Sequence, residues 1–148
     1  NANALRRAAT LGQGWLGAAM SIEQAAQSTN KIHEIAIQAG RNPEDIEPAL
    51  QLICCVGKTH EAAITRFHES QMYEHLLSLS TTTLKNQQEI KPETSNLIGT
   101  PDEVAEKIMK FERAGIKHCC GTYFCADSVS ELLDQMEVFS KEVVPLVN

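Results

Sequence analysis

Apolar residues recur at three- and four-residue spacing through Ile22, Ala25, Ala26, Thr29, Ile32, Ile35, Ala36 and Ala39, with polar side chains between them. That period lays one apolar stripe along a helix. Ser21 and Gln24 form a capping box at its start, Glu23 gives an acidic first turn, and Gly40 is a stop. A shorter helix is predicted over residues 4–11, ended by Gly12, and a longer one from His60 to about Leu79, capped by Thr59. Near the end, Thr100, Pro101 and Glu103 open a helix that Gly115 closes. Ser128 and Glu131 form a second capping box for an amphipathic run that ends at Val147.

Between these helices lie continuous apolar runs. Residues 14–17, between glycines, read as a short buried strand. Residues 46–56 read as a strand with the apolar end Leu52-Ile53-Cys54-Cys55-Val56, and residues 116–124 as a third. Asn42-Pro43 marks a turn, and the polar stretch at about 80–96 reads as a loop or insertion. Three short apolar strands alternating with about five helices indicate an α/β fold with a parallel sheet, read as one partial domain over 1–148. Such folds place their chemistry in loops at the carboxyl ends of the strands. A three-stranded parallel sheet leaves unpaired edges, so a partner is expected to complete it.

Charge and composition narrow the partners. The net charge is −6, and Arg6-Arg7 is the only adjacent basic pair, which argues against nucleic acid. With 43% hydrophobic residues the chain is globular, yet no apolar run nears the roughly 18 residues of a membrane span, so a cytoplasmic protein is expected. Four of the five cysteines form the adjacent pairs Cys54-Cys55 and Cys119-Cys120. Neighbours in a strand point to opposite faces, so neither pair offers co-ligands, and zinc-type spacing is absent. The reading is of buried reduced thiols, Cys125 included, in a reducing compartment. His33, His60, His68 and His75 fall in helices without metal-binding spacing, and His118 starts the last strand, where a structural role is expected. There is no glycine-rich dinucleotide fingerprint, no P-loop and no nucleophile elbow. Neither a metal site nor a catalytic residue is assigned.

Several segments carry a family resemblance. The run Asn3-Ala4-Leu5-Arg6-Arg7-Ala8-Ala9-Thr10-Leu11-Gly12-Gln13-Gly14-Trp15-Leu16 resembles the A-L-R-R-A-A-x-L-G-D-G-W segment of luciferase-like flavin-dependent oxidoreductases. Ala39-Gly40-Arg41-Asn42-Pro43-Glu44-Asp45-Ile46 is similar to the segment leading into that family's next strand. Ile98-Gly99-Thr100-Pro101-Asp102-Glu103-Val104, Ala114-Gly115-Ile116-Lys117-His118 and Glu142-Val143-Val144-Pro145-Leu146 resemble its closing unit. Gln13 departs from the family's Asp, and the Asn-rich start departs from its Gly-Gly run.

The resemblance implies the C-terminal part of a (β/α)8 barrel, a fold of about 250 residues, with about three of its parallel strands and their flanking helices. It further implies monooxygenation with reduced FMN and oxygen, or hydride transfer with a deazaflavin, on a small organic substrate. Expected cofactor-binding residues are Asn1, Ala2, Asn3 and Ala4 at a helix start that suits phosphate, with Trp15 and Tyr123 at strand positions. The expected assembly is a homo-oligomer or completion by the missing N-terminal half. A partial-barrel binding module without catalysis is the other reading.

Overall fold

The computed structural model describes residues 2–82 and 92–147, which fall into two compact units. The first comprises residues 1–51 and 110–121. Here α1 (Ala2–Leu11) and α2 (Ile22–Gln38) pack together, and β1 (Gly14–Ala18) lies parallel to the start of β2 (Glu47–Val56). The pairing runs from Gly14 opposite Glu47 to Ala18 opposite Gln51. The predicted capping box of α2 is present, with the Gln24 N–H donating to Ser21 Oγ at 3.3 Å and the Ser21 N–H to Gln24 Oε1 at 3.2 Å. The helix ends where Gly40 takes φ +72°. Its stripe buries Ala25, Thr29, Ile32 and Ala36, and Ile32 and Ala36 form a core with Ala9 and Ile46. Arg41 closes α1 from outside the helix, donating to the carbonyls of Ala9 at 2.9 Å and Gly12 at 2.7 Å.

Strand β1 is not the buried strand expected. Only Gly17 is buried, and Leu16 is 56% exposed. The helices cover one face of this ribbon, so alternate residues of β1 turn outward. The stretch at Asn42-Pro43 tightens into a 3-10 turn, Pro43–Asp45, capped by Asn42.

The second unit comprises residues 52–109 and 122–148. In it β2 pairs in parallel with a fourth strand, β3 (Leu97–Gly99), which is too short for its apolar pattern to stand out in the sequence. Asn96, buried before β3, accepts the Ile53 N–H at 2.9 Å. The helix expected from 60 to 79 is two helices, α3 (His60–His68) and α4 (Gln71–Thr81). Ser70 divides them. Its hydroxyl donates to the Phe67 carbonyl at 2.6 Å and accepts the Tyr73 N–H at 3.2 Å, ending one helix and capping the next. Of the polar stretch, residues 92–95 form the helical turn α5 (Pro92–Ser95), and residues 83–91 lie outside the described residues. Next come α6 (Pro101–Arg113), β4 (His118–Phe124), α7 (Val129–Val138), a π turn (Phe139–Val143) and α8 (Val144–Val147).

Strand β4 also pairs with β2, giving a sheet of four strands where three were expected. The capping box of α6 is as predicted, the Thr100 N–H donating to Glu103 Oε2 at 2.8 Å and the Glu103 N–H to Thr100 Oγ1 at 3.4 Å. The core of the second unit gathers Ile53, Cys55, Ala63, Phe67, Ile98 and Cys125. Cys54, Cys55 and Cys125 are buried thiols outside any disulfide, as expected. Cys119 and Cys120 are exposed, because β4 is uncovered over residues 118–121 while β2 is buried from Leu52 to Val56.

Candidate active site

The carboxyl end of β4, in the second unit, opens into a groove of about 600 Å³. Tyr123, Phe124, Met72, Val129 and Leu132 give it apolar walls, and Gln71, Asp127 and Ser128 give it a polar end. Tyr123 is 44% exposed, and Phe124 meets Phe139 edge to face with centroids 5.6 Å apart. A concave, mostly apolar surface with a few polar groups at a strand end is where an α/β fold holds a ligand.

The polar end is built by a charge network. Arg66, on α3, meets the Glu131 carboxylate through two nitrogens, Nε to Oε1 at 2.5 Å and Nη2 to Oε2 at 2.8 Å, and Nη2 reaches Asp127 Oδ2 at 3.0 Å. The Asp127 N–H also donates to Glu131 Oε2, at 2.8 Å. The capping box expected at Ser128 and Glu131 is therefore half formed. The Glu131 N–H donates to Ser128 Oγ at 3.2 Å, but the carboxylate is taken by Arg66 and by Asp127 instead of the Ser128 N–H. Hydrogen bonding from the Arg66 guanidinium and then from the Asp127 N–H holds the Glu131 carboxyl down at about 2. Beneath, hydrogen bonding from Cys55 and Ser70, with Arg66 nearby, lowers the Cys125 thiol. At the end of β2, the Gln135 side chain accepts the Val56 N–H and donates to the Val56 carbonyl, both at 2.9 Å.

A second groove, of about 380 Å³, lies in the first unit on the open face of the ribbon, lined by Leu16, Ala49, Glu47, His118 and Cys120. His118 Nδ1 is 3.4 Å from Glu47 there.

The expected cofactor residues are distributed as follows. Asn1 lies outside the described residues. Ala2 and Asn3 are exposed in the first turn of α1, and Ala4 is half-buried beside them. Trp15 is half-buried against the core of Ala9, Ile32, Ala36 and Ile46, and also edges the second groove. These residues share the first unit, and Tyr123 belongs to the second. Among the described residues, no group of His, Cys, Asp and Glu is placed to hold a metal ion. No helix among them is long and apolar enough to cross a membrane. Arg66 and Gln135 carried no sequence signal, since each acts on a partner more than 60 residues away.

The luciferase-like monooxygenase family matches residues 1–118 of the 148. The chain belongs to this family. Its fold is that of the carboxyl-terminal part of a (β/α)8 barrel, with parallel strands flanked by helices. No curated protein matches the sequence. An F420-dependent secondary alcohol dehydrogenase, solved with an F420–acetone adduct, aligns with 99% of the chain and 46% of its own, at TM-score 0.73 and 20% identity. The oxygenating constituent of 3,6-diketocamphane monooxygenase from Pseudomonas putida, solved with FMN, aligns with 97% of the chain and 45% of its own, at TM-score 0.66 and 19% identity. A long-chain alkane monooxygenase aligns with 95% and 37%, at TM-score 0.65 and 21% identity. The chain thus spans less than half the length of these luciferase-like relatives.

Proposed function

We propose that the chain supplies the carboxyl-terminal strands of a flavin-dependent monooxygenase that uses reduced FMN, oxygen and a small organic substrate. The observation that carries this reading is the groove at the end of β4, where Tyr123, Phe124, Met72 and Leu132 offer ring faces and soft apolar contacts. Such walls suit a flat ring system. The flavin, when bound, supplies the redox chemistry, and the protein orients it and excludes water. Within the first unit, the backbone N–H groups that open α1 at Ala2, Asn3 and Ala4 suit a phosphate, and Asn1 and Trp15 are proposed as cofactor-binding residues of that unit. Hydride transfer with a deazaflavin is the second reading, favoured by the likeness to the F420-dependent dehydrogenase.

Catalysis on this reading needs the barrel strands that the relatives carry beyond the aligned region, from another polypeptide segment or from assembled copies. The thiols, outside any disulfide, suit a reducing cytoplasm. The test is a titration of the 148-residue chain with FMN, followed by flavin fluorescence. Saturable quenching is expected, weakened roughly two- to tenfold by Tyr123→Ala, the size of one aromatic contact. Absence of saturable quenching overturns the flavin reading. Turnover of reduced FMN with substrate by this chain alone overturns the need for further strands.

A further inference from the structure

We propose that Arg66 is the positioning residue of the strand-end groove, its guanidinium setting residues 126–129 as a fixed wall against which a flavin ring lies. The inference rests on the flavin reading of that groove.

Three elements converge on this one side chain. Arg66 projects from α3, grips Glu131 in the first turn of α7, and holds Asp127 in the loop between β4 and α7. Asp127 Oδ1 in turn takes the N–H of Gln71, the first residue of α4, at 3.5 Å. Gln71 and Asp127 both line the groove, so the contacts that settle the network also settle its polar end. The fork geometry matters. Two parallel N–H donors fix the plane of the Glu131 carboxylate, and the Asp127 N–H reads the same oxygen.

Electrostatics points the same way. Asp127 and Glu131 are two carboxylates sharing one cation, and removing the cation leaves like charges side by side at the groove's rim. Arg66 also acts to lower the thiols of Cys125, in the loop after β4, and of Cys55, on β2. Arg66 is only 26% exposed, too enclosed for water to replace it freely.

The experiment is a fluorescence titration of the full chain with riboflavin, which lacks a phosphate, so the ligand's charge stays constant between pH 7 and pH 4.5. Wild type, Arg66→Gln and Arg66→Lys are compared. Wild-type affinity is expected to be the same at both pH values, because Glu131 stays ionised. Arg66→Gln is expected to bind about tenfold more weakly at pH 7 and to recover part of that loss at pH 4.5, where one carboxylate begins to protonate. Arg66→Lys, which keeps the charge and loses the fork, is expected to bind about threefold more weakly at both. Weaker binding by Arg66→Gln that is not recovered at pH 4.5 would assign the loss to packing and overturn the positioning role. If wild type binds riboflavin and the variants bind it equally well at both pH values, the positioning role is overturned while the flavin reading stands. If Arg66→Gln fails to fold, Arg66→Lys with wild-type affinity overturns it. Failure of wild type to bind riboflavin while it binds FMN overturns the positioning role alone, and failure to bind either flavin overturns both.

Discussion

Replacing Glu131 by glutamine removes one charge from the Arg66 network and leaves nearly the same shape. Its carboxyl lies at about 2 in the fold against an ordinary 4.5. That gap corresponds to about 3.4 kcal/mol if nothing screened it. The carboxylate is 31% exposed, however, and solvent screening reduces the expected effect to about 1–2 kcal/mol. The sign follows from the direction of the shift. A lowered carboxyl stabilises the fold above its unfolded value, and the contribution fades as pH falls from about 4.5 towards 2. The cost of Glu131→Gln is therefore expected to be largest at pH 7 and about 20–40% of that at pH 3.5, the fraction that follows from the screened effect. Urea unfolding of wild type and variant at both pH values measures it, through the midpoints at unchanged slope. A cost that is equal at the two pH values would refute the charge argument and assign the effect to packing. A cost below about 0.3 kcal/mol at pH 7 would refute the network's contribution to stability altogether.

Two further expectations concern the fold itself. Gly115 sits at φ +89°, and a Cβ there would lie 3.1 Å from Thr29 Oγ1, which donates to the Ala114 carbonyl at 2.7 Å. Gly115→Ala is expected to cost about 1–2 kcal/mol by urea unfolding, and a stability equal to wild type would contradict the left-handed turn. Under native conditions, a thiol reagent is expected to label two cysteines quickly, Cys119 and Cys120, and the buried Cys54, Cys55 and Cys125 only on unfolding. Rapid labelling of a third thiol would contradict the burial of Cys54 and Cys55 on β2 and of Cys125 after β4.

Local punctuation was readable because its causes are local. Ser21 with Gln24, Thr100 with Glu103, and the glycines at 40 and 115 act within a few residues, and each does in the fold what its neighbours imply. Ser70 does not stand out in the sequence because an apolar period runs on across it, although its hydroxyl divides one expected helix into two. The exposure of Leu16, Cys119 and Cys120 was not readable, since an apolar run does not say whether both faces of its strand are covered. At the candidate site, Tyr123 could be placed at a strand end, while Arg66 could not be linked to Asp127 and Glu131. Arg66 follows Thr65 in an ordinary helical stretch, and only the folded chain brings it across 61 and 65 residues to those partners.

Helix α7 keeps two polar side chains half-buried beside Leu132 and Val138 and leaves three of its apolar ones exposed. The side chains it directs inward include Glu131 and Gln135, while Val129, Leu133 and Met136 stand 74%, 59% and 47% exposed. Its seat is chosen by addresses rather than by grease. Gln135 answers both backbone groups of Val56, and Glu131 answers Arg66. Hydrogen bonds of this kind have one solution where an apolar stripe has several. A slide of one helical turn would bring Glu131 or Phe139 opposite Val56, and neither can donate to its carbonyl. The helix can thus be held in register from one side while its apolar side remains open.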